Sequence, residues 1–480
     1  MINHRLKMNH RGDCCPGVGG QPRSRRELLK SASNGFGYLA LSALMADRSY
    51  AGLATPAGPH FKPRAKNVIL LFMPGGVSHM DSFDPKPKLD ELDGKPAKLD
   101  SYVAGPNRKW LKSPWKFRTY GQIGLPVSEL FPYLTEVVDD LTVVRSMVSE
   151  FPLHARANVF FHTGRNFGGF PSLGSWVTYG LGSENHNLPG YLLLNSGDNP
   201  PGGMENFSNG FLPATHQAMG VRAEGPPVDN IAPADTDPIQ RIKMETLLEQ
   251  DRAFAAQASK EPAIEAAIAN FELAYRMQAL TPDVLSLDKE PESIKKLYGL
   301  DAENQHKRYY GLQCLRARRL VESGVRFVEV TPPSLFGQNG TWDQHSELKH
   351  GHETNAMVTD QAITALLKDL KSRGLLKETL VIWAGEFGRT PDTGNGDGRD
   401  HHPAGFTIWM AGGGAKSGLV FGATDELGNK SVENIVTVHD LHATILDLLG
   451  LDHKRLTYRY GGRDVTLPDV HGRTVKELIT

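Results

Sequence analysis

Along this chain of 480 residues, short apolar runs alternate with longer stretches of helical periodicity. Asn67-Val-Ile-Leu-Leu-Phe-Met73 is apolar at nearly every position and stops at Pro74-Gly75-Gly76. A run of that length without polar alternation fits a strand buried on both faces, as in a parallel sheet. The same pattern predicts strands at 141–146, 191–194, 325–330, 379–384 and 406–411. Between them, apolar residues at helical spacing predict helices over 127–138, 154–163, 238–259, 262–278, 303–323, 354–373 and 440–449. Gly164, Gly374 and Gly450 follow three of these helices, where the chain needs a stop signal.

Strands alternating with helices imply an α/β fold: a mainly parallel sheet sandwiched by helices. We read 67–480 as one domain with loop insertions near 85–125 and 195–300, preceded by a linker at 52–66 rich in Pro, Gly and Ala. In such sheets ligands collect at the carboxyl ends of the strands. The polar residues at those ends are therefore the first candidates for chemistry.

Strand 67–73 leads into two glycines and then Ser78, His79, Asp81 and Asp84. Strand 325–330 precedes Asp343, His345, His350 and His352. Asp343 and His345, two apart in a loop, can offer one cation a carboxylate oxygen and an imidazole nitrogen. Strand 379–384 runs into Gly385-Glu386-Phe387-Gly388-Arg389, with a carboxylate for a metal and a guanidinium suited to sulfate or phosphate. Asp400-His401-His402-Pro403 comes just before strand 406–411, and one of its two imidazoles is expected to point inward. His439 and His442 fall near one face of the last helix, where ligand and core roles are evenly balanced. Asp440 there suits a helix cap. No phosphate-cradling Gly-x-x-x-x-Gly-Lys-Ser/Thr and no Gly-x-Ser-x-Gly elbow occurs, so nucleotide cradling and α/β-hydrolase acyl transfer lose support.

Composition adds little until the amino terminus is considered. Apolar content of 39%, charged content of 22% and a net charge of −1 describe an ordinary globular chain, with no call for nucleic acid or an anionic membrane as partner. The run Ser24-Arg25-Arg26-Glu27-Leu28-Leu29-Lys30, the apolar stretch Gly35 to Met45 and the small residues Ser49, Ala51 and Gly52 read as a twin-arginine export signal over 1–51. The apolar stretch is too short to span a bilayer stably. The expected partner in export is the twin-arginine translocase, and the expected location is the periplasm or beyond. Cys14 and Cys15 would leave with the signal, and Cys314 alone would remain. That excludes an internal disulfide and a Cys-rich zinc site, so a metal must be held by His, Asp, Glu and Asn.

Several segments together resemble the alkaline phosphatase/sulfatase superfamily. Asn67 to Phe72 is similar to its opening strand, Thr163-Gly164-Arg165 to the close of the helix behind the nucleophile, and 439–450 to its last helix. The leader, with Gly75-Gly-Val-Ser-His-Met-Asp-Ser-Phe-Asp-Pro-Lys-Pro and Gly385-Glu-Phe-Gly-Arg-Thr-Pro, more narrowly resembles the secreted bacterial family called domain of unknown function 1501. There are departures from the superfamily. Pro74-Gly75-Gly76 stands where sulfatases place two aspartates, Glu386-Phe387 stands for Asp-His or Asp-Asn, and His154 occupies the nucleophile's place. Cys314-Leu-Arg-Ala-Arg318 fails the formylglycine pattern at its third residue and sits in a charged helix, which excludes a formylglycine sulfatase.

The resemblance implies an exported metal-dependent hydrolase of phosphate or sulfate esters, acting on a small-molecule or glycan ester. The cofactor is a divalent ion, zinc by ligand type, with calcium or magnesium as alternatives. Its ligands would come from Asp81, Asp343, His345, Glu386, His401, His402 and His439. Ser78 would be the nucleophile, or a metal-bound water would attack directly, with His154 as acid, base or ligand, while Arg156 and Arg389 would hold the oxyanion. The competing expectation is a non-catalytic sulfatase-like fold that binds glycans or proteins in the periplasm.

Overall fold

The computed structural model describes residues 58–98, 107–232, 235–257, 262–335, 342–393, 396–469 and 471–480. The expected export signal and the linker up to residue 57 lie outside them. The rest of the linker runs against the domain: the amides of His60 and Phe61 donate to Gly450, and those of Arg64 and Ala65 to Leu448.

Nine strands make the central sheet. In chain order they are β1 (Asn67–Phe72), β2 (Leu141–Val148), β3 (Tyr191–Asn195), β4 (Met219–Arg222), β5 (Phe327–Thr331), β6 (Thr379–Ala384), β7 (Phe406–Ala411), β8 (Leu419–Phe421) and β9 (Val436–Thr437). Their spatial order is β8-β2-β7-β6-β1-β5-β3-β4, and β9 also pairs with β2. Only β7 runs antiparallel to its neighbours, which are β2 and β6. The main helices are α1 (His154–Thr163), α2 (Leu173–Leu181), α3 (Asp237–Gln257), α4 (Pro262–Leu285), α5 (Gln305–Glu322), α6 (Leu348–Ser372) and α7 (Val438–Leu448).

All six residues of β1 are buried, because successive side chains enter cores on opposite faces. Val68, Leu70 and Phe72 pack with Phe160, Trp176 and Ile445 from α1, α2 and α7. Ile69 and Leu71 pack with Leu315 and Leu366 from α5 and α6. Two covered faces explain the unbroken apolar runs of the sequence. The chain thus has the expected fold class, a mainly parallel sheet between two helical layers.

Two local expectations fail. The helix predicted at 127–138 is instead a strand, Leu125–Ser128, followed by a 3-10 helix, Leu134–Asp140. Pro132 explains this, since inside the predicted helix it cannot donate the amide bond that a continuous helix needs. The Asp360 carboxylate takes up the amides of Tyr133 and Leu134 at 2.7 and 3.0 Å. Secondly, α6 begins at Leu348, so His350 and His352 are helical residues. His352 is fully buried, against the rings of Trp115 and Trp342.

Burial lowers the pKa of His79 and His439 to about 4, and of His352 and His442 to about 3. All four stay neutral in the fold, yet protonate in the unfolded chain below about 6.5. Burial acts oppositely on the Asp360 carboxyl, raising it to about 7. That group holds a proton in the fold between about pH 4 and 7 and loses it on unfolding. The four imidazoles outweigh the one carboxyl, so these groups take up protons on unfolding near pH 5 and their contribution to stability falls as pH drops from about 7 to 5. Urea midpoints at pH 7, 6 and 5 should decline, and a flat series would contradict this assignment of protons.

Candidate active site and metal centre

The site lies at the carboxyl ends of β1, β5 and β6. Because β7 runs the other way, the segment entering it reaches the same edge. Beside β2, the Ser149 amide donates to Pro403 at 2.8 Å. A short ladder pairs His401 with Arg389 and His402 with Gly388. Neighbouring residues in a strand face opposite ways, so one imidazole alone can enter. His401 does, and His402 turns away to the Asn429 carbonyl.

Asp343 is the hub. Its Oδ1 receives Arg389 Nη2 at 2.6 Å and lies 3.0 Å from His345 Nε2 and 3.1 Å from His401 Nε2. His154 Nε2 approaches Oδ2 at 3.2 Å, too far off axis for a hydrogen bond, and is buried without a partner. Each imidazole is oriented from behind. His154 Nδ1 is 2.7 Å from Glu386, His345 Nδ1 is 2.8 Å from Asp400, and His401 Nδ1 is 2.7 Å from the Pro152 carbonyl. The Pro152 carbonyl can only accept, so His401 donates through Nδ1 and presents an unprotonated Nε2 when neutral.

Glycine sets how closely the loops approach. The Gly75 amide donates to both Glu386 oxygens, at 2.9 and 3.1 Å. Its φ is +106°, and a Cβ there would lie 2.6 Å from the Trp342 nitrogen and 2.7 Å from that of Asp343. A Cβ on Gly76 would lie 2.7 Å from the Phe387 ring, which itself borders His154 and His401 with centroids 4.9 Å away.

The electrostatics follow from this packing. Burial pushes the Asp343 carboxyl up, but His154, His345, His401 and Arg389 together hold it well below the usual carboxylate range. Hydrogen bonds to Asp343 and Asp400 raise His345 to about 9. Burial lowers His401, and Asp343 only partly offsets it. Burial likewise opposes the charge on His154, but Asp343 and Glu386 outweigh it and raise that group.

The donor set fits a divalent cation. His345 Nε2, His401 Nε2 and Asp343 Oδ1 form a nearly equilateral triangle with edges of 3.0, 3.0 and 3.1 Å. Ligands at about 2.0–2.1 Å around a tetrahedral ion stand about 3.3 Å apart, so the triangle needs little opening. His154, Asp343 and His401 also offer ligand atoms within 4.8 Å of one another. A second layer of acceptors on Nδ1 is the usual support of ligating histidines.

The other candidates stand outside this triangle. Ser78 donates to Asp81 at 2.5 Å, and Asp81 pairs with Arg399 at 2.7 Å, all three fully buried. Ser78 is thus closed to substrate and Asp81 is neutralised by its own arginine. Arg389 is also fully buried and holds the carbonyls of Gly75, Gly76 and Arg399 besides Asp343. With four of its five N–H donors committed and its side chain enclosed, it positions Asp343 and is not placed to hold an oxyanion. Glu386 sits behind His154. Arg156 is exposed on the first turn of α1. His439 stacks on His471 beside Gly164, at the far end of α1 from His154, about 14 Å of helix away. Asp400 and Arg108 were missed as site residues. Asp400 directly precedes the paired histidines, while nothing in the sequence marks Arg108.

The family model described as "Protein of unknown function (DUF1501)" matches residues 65–479. The chain belongs to the DUF1501 family. No curated protein matches it. Among solved structures it is similar to the PsFucS1 sulfatase from Pseudoalteromonas sp., with 13% identity over 87% of this chain and 72% of that one and a TM-score of 0.34. A protein in the alkaline phosphatase superfamily from Vibrio parahaemolyticus matches at 12% identity over 88% and 79%, with a TM-score of 0.35. Alkaline phosphatase from the Antarctic bacterium TAB5 matches at 11% identity over 73% and 92%, with a TM-score of 0.34. Likenesses at this level say nothing about the chemistry of the present chain.

Gly75→Ala should cost at least about 2 kcal/mol, from the strained φ and the clash with Trp342 and Asp343. Gly220→Ala, where a Cβ meets nothing within 4 Å, should leave stability within about 0.5 kcal/mol. Chemical denaturation of both variants tests this, and equal losses would mean that the close approach at Gly75 is not a constraint.

Proposed function

We propose that this protein is an exported, metal-dependent hydrolase of phosphate or sulfate esters. The observation that carries the proposal is the near-equilateral triangle of His345 Nε2, His401 Nε2 and Asp343 Oδ1, with every imidazole braced through its Nδ1. These three residues would hold a divalent ion, zinc by ligand type. When bound, such an ion supplies Lewis-acid polarisation of the ester and stabilises charge on the departing oxygen.

The rest falls to the chain itself. His154 begins α1, whose first turn has no side-chain cap, so its free amides and the exposed Arg156 would bind the ester's anionic oxygens. Glu386 fixes His154 through Nδ1 and leaves Nε2 to take a proton from the attacking water or return it to the leaving group. With Ser78 enclosed, water is the attacking group. Phe387 walls the site beside His154 and His401 and keeps solvent from that side. Among the described residues no helix is long and apolar enough to cross a membrane, and export would proceed through the twin-arginine translocase.

A non-catalytic binding role is the second reading, favoured by the enclosed Ser78 and the buried Arg389. Metal analysis and turnover separate the two. Protein purified from the periplasm should carry about one equivalent of zinc and hydrolyse aryl phosphates or sulfates, and less than about a tenth of an equivalent of any divalent metal would sink the hydrolase. Asp343→Ala should lose both metal and activity. His154→Ala should keep the metal and lose about 10²–10⁴-fold in kcat/KM. Metal without turnover on any ester would favour the binding role.

A further inference from the structure

We infer that Arg108, in the excursion between β1 and β2, is a positioning residue that holds His345 on the metal through Asp400; this rests on the metal-centre reading above. Arg108 Nη1 lies 2.8 Å from Asp400 Oδ2, while Asp400 Oδ1 accepts from His345 Nδ1 at 2.8 Å. Arg108 also grips Asp392, with Nε at 2.6 Å from one oxygen and Nη2 at 2.8 Å from the other. Its Nη2 further reaches Thr390 Oγ1 at 3.3 Å, the same oxygen that accepts the Asp400 amide at 3.0 Å.

His345 needs this support more than the other imidazoles of the site do. Its side chain is 39% exposed, against 14% for His401 and 8% for His154. It stands on the loop between β5 and α6, whereas His401 stands in a ladder and His154 in a helix. Asp392 is fully buried and Asp400 is 3% exposed, so each carboxylate needs a cation beside it. A guanidinium can face both at once. A lysine ammonium, a single point on a flexible stem, cannot form the same fork. The backbone around Arg108 is anchored separately, through Thr393 N to Lys109 O at 2.8 Å and Leu111 N to Pro391 O at 3.1 Å. Changing the side chain therefore spares that attachment.

The test uses the full mature chain and Co²⁺ as a visible substitute for Zn²⁺. Affinity by calorimetry and the visible absorption spectrum are compared for wild type, Arg108→Ala, Arg108→Lys, His345→Ala and the Arg108→Ala/His345→Ala pair. We expect Arg108→Ala to bind Co²⁺ about 10–100-fold more weakly, as loss of an outer support does elsewhere. Its spectrum should move toward that of His345→Ala, and the double variant should be no weaker than His345→Ala alone. Arg108→Lys should fall between wild type and Arg108→Ala. If metal-free Arg108→Ala melts well below wild type, Asp400→Asn, read for the same coupling to His345→Ala, decides the matter. Wild-type affinity and spectrum in Arg108→Ala, or losses that simply add to those of His345→Ala, would overturn the positioning role and leave the metal centre standing. A wild type that binds no Co²⁺ would overturn both.

Discussion

The site depends on one buried negative charge, the carboxylate of Asp343. A carboxylate taken out of water costs several kcal/mol unless paired and hydrogen-bonded. Here Arg389 and three imidazoles surround it, and each comes from a different part of the chain. Arg389 and His401 lie on the short ladder before β7, His345 on the loop after β5, and His154 on the first turn of α1. Apolar packing brings these segments together, and the cost of leaving Asp343 unpaired makes each partner necessary once the carboxylate is buried. Arg389 extends the effect, because it also gathers the carbonyls of Gly75, Gly76 and Arg399 and so fixes the loop after β1.

Around that charge the side chains fall into concentric layers. Three Nε2 atoms face the carboxylate, and behind each imidazole stands an acceptor on Nδ1: Glu386, Asp400 or the Pro152 carbonyl. Glu386 is held in turn by the Gly75 amide, and Asp400 by Arg108. Beneath them the Ser78, Asp81 and Arg399 cluster is saturated and inaccessible, and the Arg399 carbonyl braces Arg389. Such layering holds the imidazoles rigid, which a ligand set requires if a cation is to find it preformed. It also explains why several polar residues close in sequence to the site take no direct part in it.

The reversed strand β7 makes the arrangement possible. In an all-parallel sheet, residues just before a strand sit at the amino edge, away from the ligand crevice. Because β7 runs antiparallel between β2 and β6, the residues that precede it arrive where the other strands end. His401 therefore joins Asp343 and Glu386, although it comes before its strand and they come after theirs.

Much of this was legible from local pattern. Strands buried on both faces must be apolar at every position, so β1, β6 and β7 stand out with nearly their final boundaries, and α1 ends where Gly164 allows a left-handed turn. The carboxyl-end rule likewise singled out Asp343, His345 and Glu386, since it follows from chain direction alone, while His401 and His402 stood out only as a pair at the far end of the loop after β6. Local pattern could not say which candidates converge. Ser78 and Asp81 stand as near the end of β1 in sequence as the chosen residues do to their strands, yet a buried arginine ten residues beyond Arg389 captured them. His401 and His402 are equivalent in composition and differ only in which side of a two-residue ladder they face. Arg108 lies more than 230 residues from His345 and acquires its place only when the excursion folds back on the loop before β7. Residue chemistry and strand direction are local properties that the sequence carries by itself. The pairing of buried charges is settled only when distant segments pack, because each charge takes whichever partner the fold brings within a hydrogen bond.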